Sequence, residues 1–263
     1  MNKPVRVGVI GLGEAGSLIA DGLLAAGADV VGYDLTAPPN TSVPLVGTLA
    51  EVVAGADVII SITSSSAARK VAAEVATVIE PSAIFADLTT GTPGLKESLS
   101  GFFSNGEFVD AAVMKPVPGL GEKVPMAVAG PAARRFIDLL EPFGMNLEYV
   151  SDIPGEAAAR KLLRSILAKG MAAVLIDFLW AAESLGLQDW AYDEILREFD
   201  QISADTAKRY LVGTSKHVKR RQIEMMDVTE MLNGVGYQST MIDGVALTYS
   251  HILHSRKIPF SSE

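Results

Sequence analysis

Six residues near the N-terminus, Gly11-Leu12-Gly13-Glu14-Ala15-Gly16, carry the spacing Gly-x-Gly-x-x-Gly. That spacing suits the binding of a pyrophosphate. Gly11 permits a tight turn, Gly13 lets the backbone approach the phosphates, and Gly16 lets the following helix pack closely. The helix N-terminus adds free N–H groups. Glycine turns are common, so context decides. Here the apolar run Val5–Ile10 leads straight into the motif and a helix-like stretch leaves it. The next strand-like run ends in Asp34, eighteen residues past Gly16, where an acidic side chain can accept hydrogen bonds from an adenosine ribose. Strand, turn, helix and acid in register predict a dinucleotide site, with Thr63 beyond the third strand as a further contact. From Val7 through Ala68 there is no Lys or Arg, and Asp34 would repel a 2′-phosphate. NAD is therefore expected over NADP, a preference that Thr36 or Asn40 is placed to soften.

A second group of residues lies around Lys161. Arg160 and Arg164 flank it, and Arg164 and Ser165, at i+3 and i+4, share its face of a helix. A lysine acts as a general acid/base when burial and nearby cations bring its pKa towards neutrality. The same residues also describe an ordinary surface lysine on a basic helix start. Lys115 is equally open, as a contact for an anionic substrate group or as a solvated loop charge. The cluster His217-Val218-Lys219-Arg220-Arg221 could reach a substrate, although a charge run on a helix is more often a solvated face. His251 and His254 read as surface or packing residues. Trp180, Trp190, Met225, Met226 and Met231 read as core or subunit contacts.

The elements that must position these groups follow from periodicity and punctuation. Strands are expected at Val5–Ile10, Asp29–Tyr33, Asp57–Ile62, Ala83–Asp87, Phe108–Val113, Pro125–Ala129 and Asn146–Val150. Helices are expected between them at Glu14–Ala26, Ala67–Ile79 and Ala132–Leu140, bounded by Gly27, Pro81, Pro131 and Gly144. Apolar strands alternating with helices imply a mostly parallel sheet covered on both faces, an α/β Rossmann domain. After Pro154-Gly155 the pattern turns all-α: Glu156–Ser184, Gln188–Ile202, Ala204–Leu211, Lys216–Leu232 and Thr240–His254, with Gly213, Gly234 and Gly236 between. The boundary is placed near Ser151–Gly155, giving a dinucleotide-binding domain over 1–153 and an all-α domain for substrate and dimer contacts over 154–263.

Composition narrows the classes further. The chain of 263 residues is 49% hydrophobic and 20% charged, which suits a globular protein with an ample core. No apolar run reaches the ~18 residues a spanning helix needs, since Gly170–Ala182 is interrupted by Asp177. Met1-Asn2-Lys3-Pro4 leads directly into the first strand, so no targeting segment is expected. A formal charge of −9 argues against a nucleic-acid partner. There is no cysteine, which excludes disulfides and thiolate sites, and with three histidines no metal centre is expected. A cytoplasmic enzyme fits this profile.

The order of motifs resembles the β-hydroxyacid dehydrogenase family, which includes 3-hydroxyisobutyrate and 6-phosphogluconate dehydrogenases. The glycine fingerprint is the first match. Asp87-Leu88-Thr89-Thr90-Gly91-Thr92-Pro93 is similar to the family's Asp-x-Ser-Thr-x-x-Pro turn beside the nicotinamide. Asp110-Ala111-Ala112-Val113-Met114-Lys115-Pro116-Val117 stands where the family has its Asp-Ala-Pro-Val-Ser-Gly-Gly substrate loop. Gly155 and Lys161, with Ser165 four residues later, look like the family's Gly-x-Gly-x-x-x-Lys-x-x-x-Asn helix, whose lysine is the general acid/base. Two departures stand out: Met114-Lys115-Pro116 replaces the carboxylate-cradling Ser-Gly-Gly, and Ser165 replaces the asparagine. They point away from the family's usual small hydroxyacids. The segment 217–225 resembles a subgroup with a little-characterised helical C-terminal domain.

The resemblance implies an NAD-dependent oxidoreductase that moves a hydride between the nicotinamide and a hydroxyl-bearing, acidic small metabolite. Lys161 is then the acid/base with Ser165 beside it. Thr89 and Thr90 flank the cofactor, and Met114, Lys115, Arg164, His217 and Arg221 are candidate substrate contacts. An imine reductase is the alternative enzyme, against which Lys161 counts. A non-catalytic dinucleotide-binding redox sensor is the alternative of another class. The helix 156–184 carries Leu162, Leu163, Ile166, Leu167, Met171, Val174, Leu175, Phe178 and Leu179 on more than one stripe, so it must be buried on several sides. A homodimer paired through it is expected, as in family relatives. An intertwined dimer would combine Lys161 of one chain with the 217–221 segment of the other.

Overall fold

The computed structural model describes residues 5–36, 41–103 and 107–261; Asn40 lies outside the described residues. Seven strands form one sheet in the order β2-β1-β3-β4-β5-β6-β7. They are β1 Arg6–Ile10, β2 Asp29–Tyr33, β3 Val58–Ser61, β4 Ile84–Asp87, β5 Phe108–Val113, β6 Met126–Ala129 and β7 Leu147–Ser151. All pairings are parallel except β5 with β6. The reversal has a local cause. The segment 114–125 between those strands contains only a 3₁₀ turn, Gly121–Lys123, and without a crossover element the chain must return antiparallel.

The central strands are buried along their whole length, which explains their unbroken apolar runs. Side-chain alternation divides them between two faces. Val58 and Ile60 face a cluster shared with Ile19, Leu23, Phe136 and Leu140, from α1 Glu14–Ala25 and α5 Ala133–Leu140. Ile59 and Phe85 face the opposite cluster with Val52, Ala72 and Leu99, from α2 Leu49–Val53, α3 Ser65–Ala76 and α4 Pro93–Ser100. There Phe85 stacks on Phe103 with ring centroids 4.8 Å apart.

Two of these helices were not anticipated. α2 is a single turn too short for periodicity to reveal, yet Thr48 and Glu51 close a capping box on it. α4 begins with Thr92 as N-cap and Pro93 in its first turn, a start signal hidden inside a motif read as a turn.

Residue contacts divide the chain into two compact units, Met1–Arg164 and Ser165–Glu263. The division falls inside α6 Glu156–Ser184. The second unit is wholly helical, with α7 Gln188–Asp200, α8 Ala204–Gly234 and α9 Thr240–His254. The break expected between two helices is present within α8 as a kink at His217 (φ −125°, ψ 19°), so its place and not its existence is corrected: Gly213 lies inside the helical stretch before the kink. A Cβ on Gly213 would lie 3.1 Å from the Arg221 guanidinium. The buried carboxylate of Asp177 accepts hydrogen bonds from Tyr237 Oη at 2.8 Å and Ser239 Oγ at 2.5 Å. It thereby ties α6 to the turn that starts α9. Trp180, Trp190, Met226 and Met231 are about half exposed or more, so the core alternative for them is set aside. Among the described residues, no helix is long and apolar enough to cross a membrane.

Candidate active site

Strand order reverses about β1, which lies between β2 and β3; ligands of open α/β sheets bind at the carboxyl ends of strands at such a point. The glycine motif sits there. Gly11 has φ +92°, and a Cβ on Gly16 would fall 1.9 Å from the Gly11 carbonyl, so only glycine allows this helix to pack against its own turn. The Ser17 hydroxyl donates to the Leu12 and Gly13 carbonyls and holds the loop. The Leu12 side chain is fully buried, leaving its backbone for the site. Gly13 is the N-cap of α1 and makes no side-chain cap hydrogen bond. A Cβ there would meet nothing within 4 Å. The orphan N–H groups of the first helical turn therefore border open space, a cradle that fits a dinucleotide pyrophosphate.

Asp34 closes the cradle. One carboxylate oxygen accepts from the Leu12 N–H at 2.6 Å and the other from the Thr36 N–H at 2.9 Å and hydroxyl at 3.1 Å. Burial opposes its charge, but backbone N–H groups of Thr36, Leu12 and Leu35 and the Thr36 hydroxyl outweigh it. They hold the carboxyl below the ordinary aspartate value. The cleft here, about 430 Å³, is lined by Gly11, Gly13, Asp34, Thr63 and Ser64 and also by Lys70 of α3. Lys70 lies 3.8 Å from Glu74. This base stands just past the base-free stretch, and the sequence had not brought it to the cleft.

A second cleft of about 630 Å³ adjoins at the end of β3, sharing Thr63 and Ser64. Glu14, Ala15, Thr89, Thr90, Lys115 and Lys161 line it; sites of this size hold small metabolites. The Thr63 N–H donates to Thr89 Oγ1 at 3.2 Å. Half-buried Lys161 donates from Nζ to Thr90 Oγ1 at 2.9 Å. Exposed Lys115 enters on a segment stiffened by Pro116 and Pro118. Met114 packs instead against Ala112, Ala127, Ala129 and Ala157. Arg164 is exposed at the end of the first unit. Ser165, His217 and Arg221 belong to the second unit. There His217 marks the kink of α8 and Arg221 Nη1 donates to Thr214 Oγ1 at 2.5 Å.

Next to the turn that carries Thr89 and Thr90 is a buried group whose aspartates head two of the motifs above and whose lysine, Lys96, the sequence did not single out. Lys96, Asp87 and Asp110 are each at most 1% exposed. Lys96 Nζ donates to Asp87 Oδ2 at 2.6 Å and to the Asp87 carbonyl at 2.8 Å, and lies 3.4 Å from Asp110 Oδ1. Asp110 Oδ2 accepts the N–H groups of Gly155 and Ala158 at 3.1 and 3.0 Å. The signal was available in principle: Lys96 stands three residues past Pro93, on the inner face of a Pro-initiated helix. Removing one member of such a buried set costs about 3–5 kcal/mol, because a buried charge is left uncompensated.

Residues 6–119 match the NAD binding domain of 6-phosphogluconate dehydrogenase, and residues 182–252 match a domain of unknown function, DUF1932. A conserved hypothetical protein from Sinorhizobium meliloti 1021 is 32% identical; the alignment covers 99% of this chain and 93% of that one, with a TM-score of 0.63. A conserved protein described as structurally similar to 3-hydroxyacid dehydrogenases is 27% identical over 94% of this chain and 96% of its own, with a TM-score of 0.64. A variant imine reductase from Myxococcus stipitatus in complex with NAD⁺ shares the fold. Its TM-score is 0.80 over 97% and 96% of the two chains, at 15% identity. With its glycine cradle, its two adjoining clefts and matches along both halves, the chain belongs to the 6-phosphogluconate dehydrogenase-like superfamily of NAD(P)-binding dehydrogenases and reductases, in the subgroup that carries a DUF1932 domain.

Proposed function

We propose that this protein is an NAD-dependent dehydrogenase that oxidises a secondary or primary alcohol group on an acidic small metabolite, or runs that reaction in reverse. The observation that carries the reading is the Lys161 Nζ–Thr90 Oγ1 hydrogen bond at 2.9 Å, on the wall of a cleft that shares Thr63 and Ser64 with the dinucleotide cradle. The bound nicotinamide supplies a hydride acceptor. The residues of the chain do the rest. In the oxidative direction the Lys161 amine takes the hydroxyl proton as the C–H hydride leaves. In the reductive direction the ammonium returns it to the forming alkoxide. Thr90 orients the amine, and the Thr63–Thr89 contact holds the β4 turn beside it. Lys115, which lines the same cleft, suits an anionic substrate group.

NAD is the proposed cofactor. The reading rests on Asp34, which is held ionised and would repel a 2′-phosphate, while Lys70 has Glu74 beside it. We further infer a homodimer through α6, supported by the exposure of Leu163 (64%), Ile166 (70%) and Leu167 (67%) in the single chain.

The test is a panel of hydroxyacids, polyols and aryl alcohols, followed by NADH formation at alkaline pH. Cyclic imines with NADH are run beside it. Turnover of alcohols that is lost in Lys161→Ala supports the reading. Turnover of imines alone transfers the protein to the reductase branch whose fold it shares. Tight NAD binding with no turnover on either panel identifies a dinucleotide sensor.

A further inference from the structure

We propose that Lys96 is a positioning residue for the Lys161–Thr90 pair, joining the two sides of that hydrogen bond through one buried ammonium. Its catalytic meaning rests on the dehydrogenase reading above. Towards Thr90, Lys96 Nζ binds both the carboxylate and the carbonyl of Asp87, the last residue of β4. Asp87 in turn accepts the Thr89 N–H through Oδ1, so the turn carrying Thr90 is anchored at its root. Towards Lys161, the same ammonium faces Asp110, whose other oxygen takes the N–H groups of Gly155 and Ala158. Those amides open α6, and Lys161 lies three residues, a little under one turn, beyond Ala158.

Burial and sterics make the arrangement rigid. Asp110 carries a charge where a helix N-terminus favours one, and the ammonium separates it from the second buried carboxylate. Gly155 has φ +96°, and a Cβ there would lie 3.0 Å from the Pro93 carbonyl and 3.1 Å from its Cα. The start of α6 is thus pressed against the start of α4, the helix that carries Lys96. A shift of Lys96 would move the donor and the acceptor of the catalytic pair separately. Such misplacement lowers rate steeply, because the reacting groups must be held in near-attack geometry.

Lys96→Met alone leaves two facing carboxylates, so the charge-balanced pair Lys96→Met with Asp87→Asn is the principal variant. Asp110→Asn, which keeps an oxygen for the α6 amides, is the second. Two measurements are made on each. The first is the pH profile of Lys161 acylation by acetic anhydride, followed by mass spectrometry, which needs no substrate. The second is a double-mutant cycle on kcat with Lys161→Ala. Expected are a displaced acylation profile, a fall in kcat on the order of 10–10²-fold, an NAD Kd essentially unchanged, and no further fall in the Lys161→Ala background. A folded variant with the wild-type acylation profile overturns the proposal, as does an equal loss in both backgrounds. If neither variant folds, the network is structural alone and the proposal falls. A displaced profile in a protein whose wild type turns nothing over retains the positioning geometry and rejects the dehydrogenase reading instead.

Discussion

The two units bury their apolar residues in opposite ways. In the first, seven strands and their covering helices close three clusters of buried side chains, and large residues such as Phe85, Phe108 and Phe136 are fully enclosed. In the second, the buried apolar residues are few: Ala182, Ala191, Val218 and Leu232 among the described residues. Leucine, isoleucine, methionine and tryptophan side chains there stand largely in solvent. A sheet faced on both sides completes its own core. The long α6 carries apolar residues on more than one stripe and leaves Leu163, Ile166 and Leu167 exposed in the single chain, the basis of the proposed dimer. On that proposal the second unit draws part of its stability from association.

The catalytic prediction is the largest and bears on the first unit alone. Lys161→Ala should cost on the order of 10²–10⁴ in kcat while NAD affinity, read by calorimetry, stays nearly unchanged, since the cradle is built from β1, β2 and β3. Normal turnover in the folded variant would return Lys161 to a surface role. Next in size is a contrast in stability. Phe85→Ala should destabilise by about 3–5 kcal/mol at every protein concentration. Trp180→Ala should change the stability of dilute protein by no more than about 0.5 kcal/mol, with a larger loss at concentrations where the chains pair. Equal behaviour of the two variants in concentration-dependent melts would erase the distinction between the units.

A third prediction addresses the association directly. Leu167→Glu should weaken dimerisation by about 2 kcal/mol or more, moving the mass by sedimentation towards the 27.7 kDa of one chain. A wild-type protein that is a stable, active monomer would refute the dimer outright. Cofactor choice is a smaller effect: kcat/KM should favour NAD over NADP, and Asp34→Ser should narrow the ratio. A clear NADP preference in the wild type would shift the role of Lys70 from Glu74 partner to phosphate ligand. The smallest effect is in acid. Because hydrogen bonds depress the Asp34 carboxyl in the folded state, its contribution is present above the ordinary aspartate pKa of about 3.9. It is lost as pH falls through the lower folded value. Melts of wild type and Asp34→Asn should therefore converge as pH drops through that window, and a gap that widens instead would contradict the assignment.

Much of this was legible in the amino-acid order. The seven strands, the glycine turn, Asp34 and the long α6 are encoded by local periodicity and by glycine and proline positions, and local encoding survives without tertiary context. The short α2, the Pro-initiated α4 and the place of the α8 kink, at His217 and not beside Gly213, were not legible. One is a single turn, one was masked by a motif, and the third falls on a residue that is neither glycine nor proline. The division of Trp180 and Met226 from the core was likewise invisible, because an apolar residue on a helix reads alike whether it meets its own chain or another. Above all, sequence alone places Asp87, Lys96, Asp110 and Gly155 as far apart along the chain as the segments that carry them. The sheet register sets β4 beside β5, and α4 and α6 meet at Pro93 and Gly155. Only those long-range packings bring one ammonium between two carboxylates. Pairing of that kind is decided by tertiary structure, since a charge can be buried only where the fold has already delivered its partners.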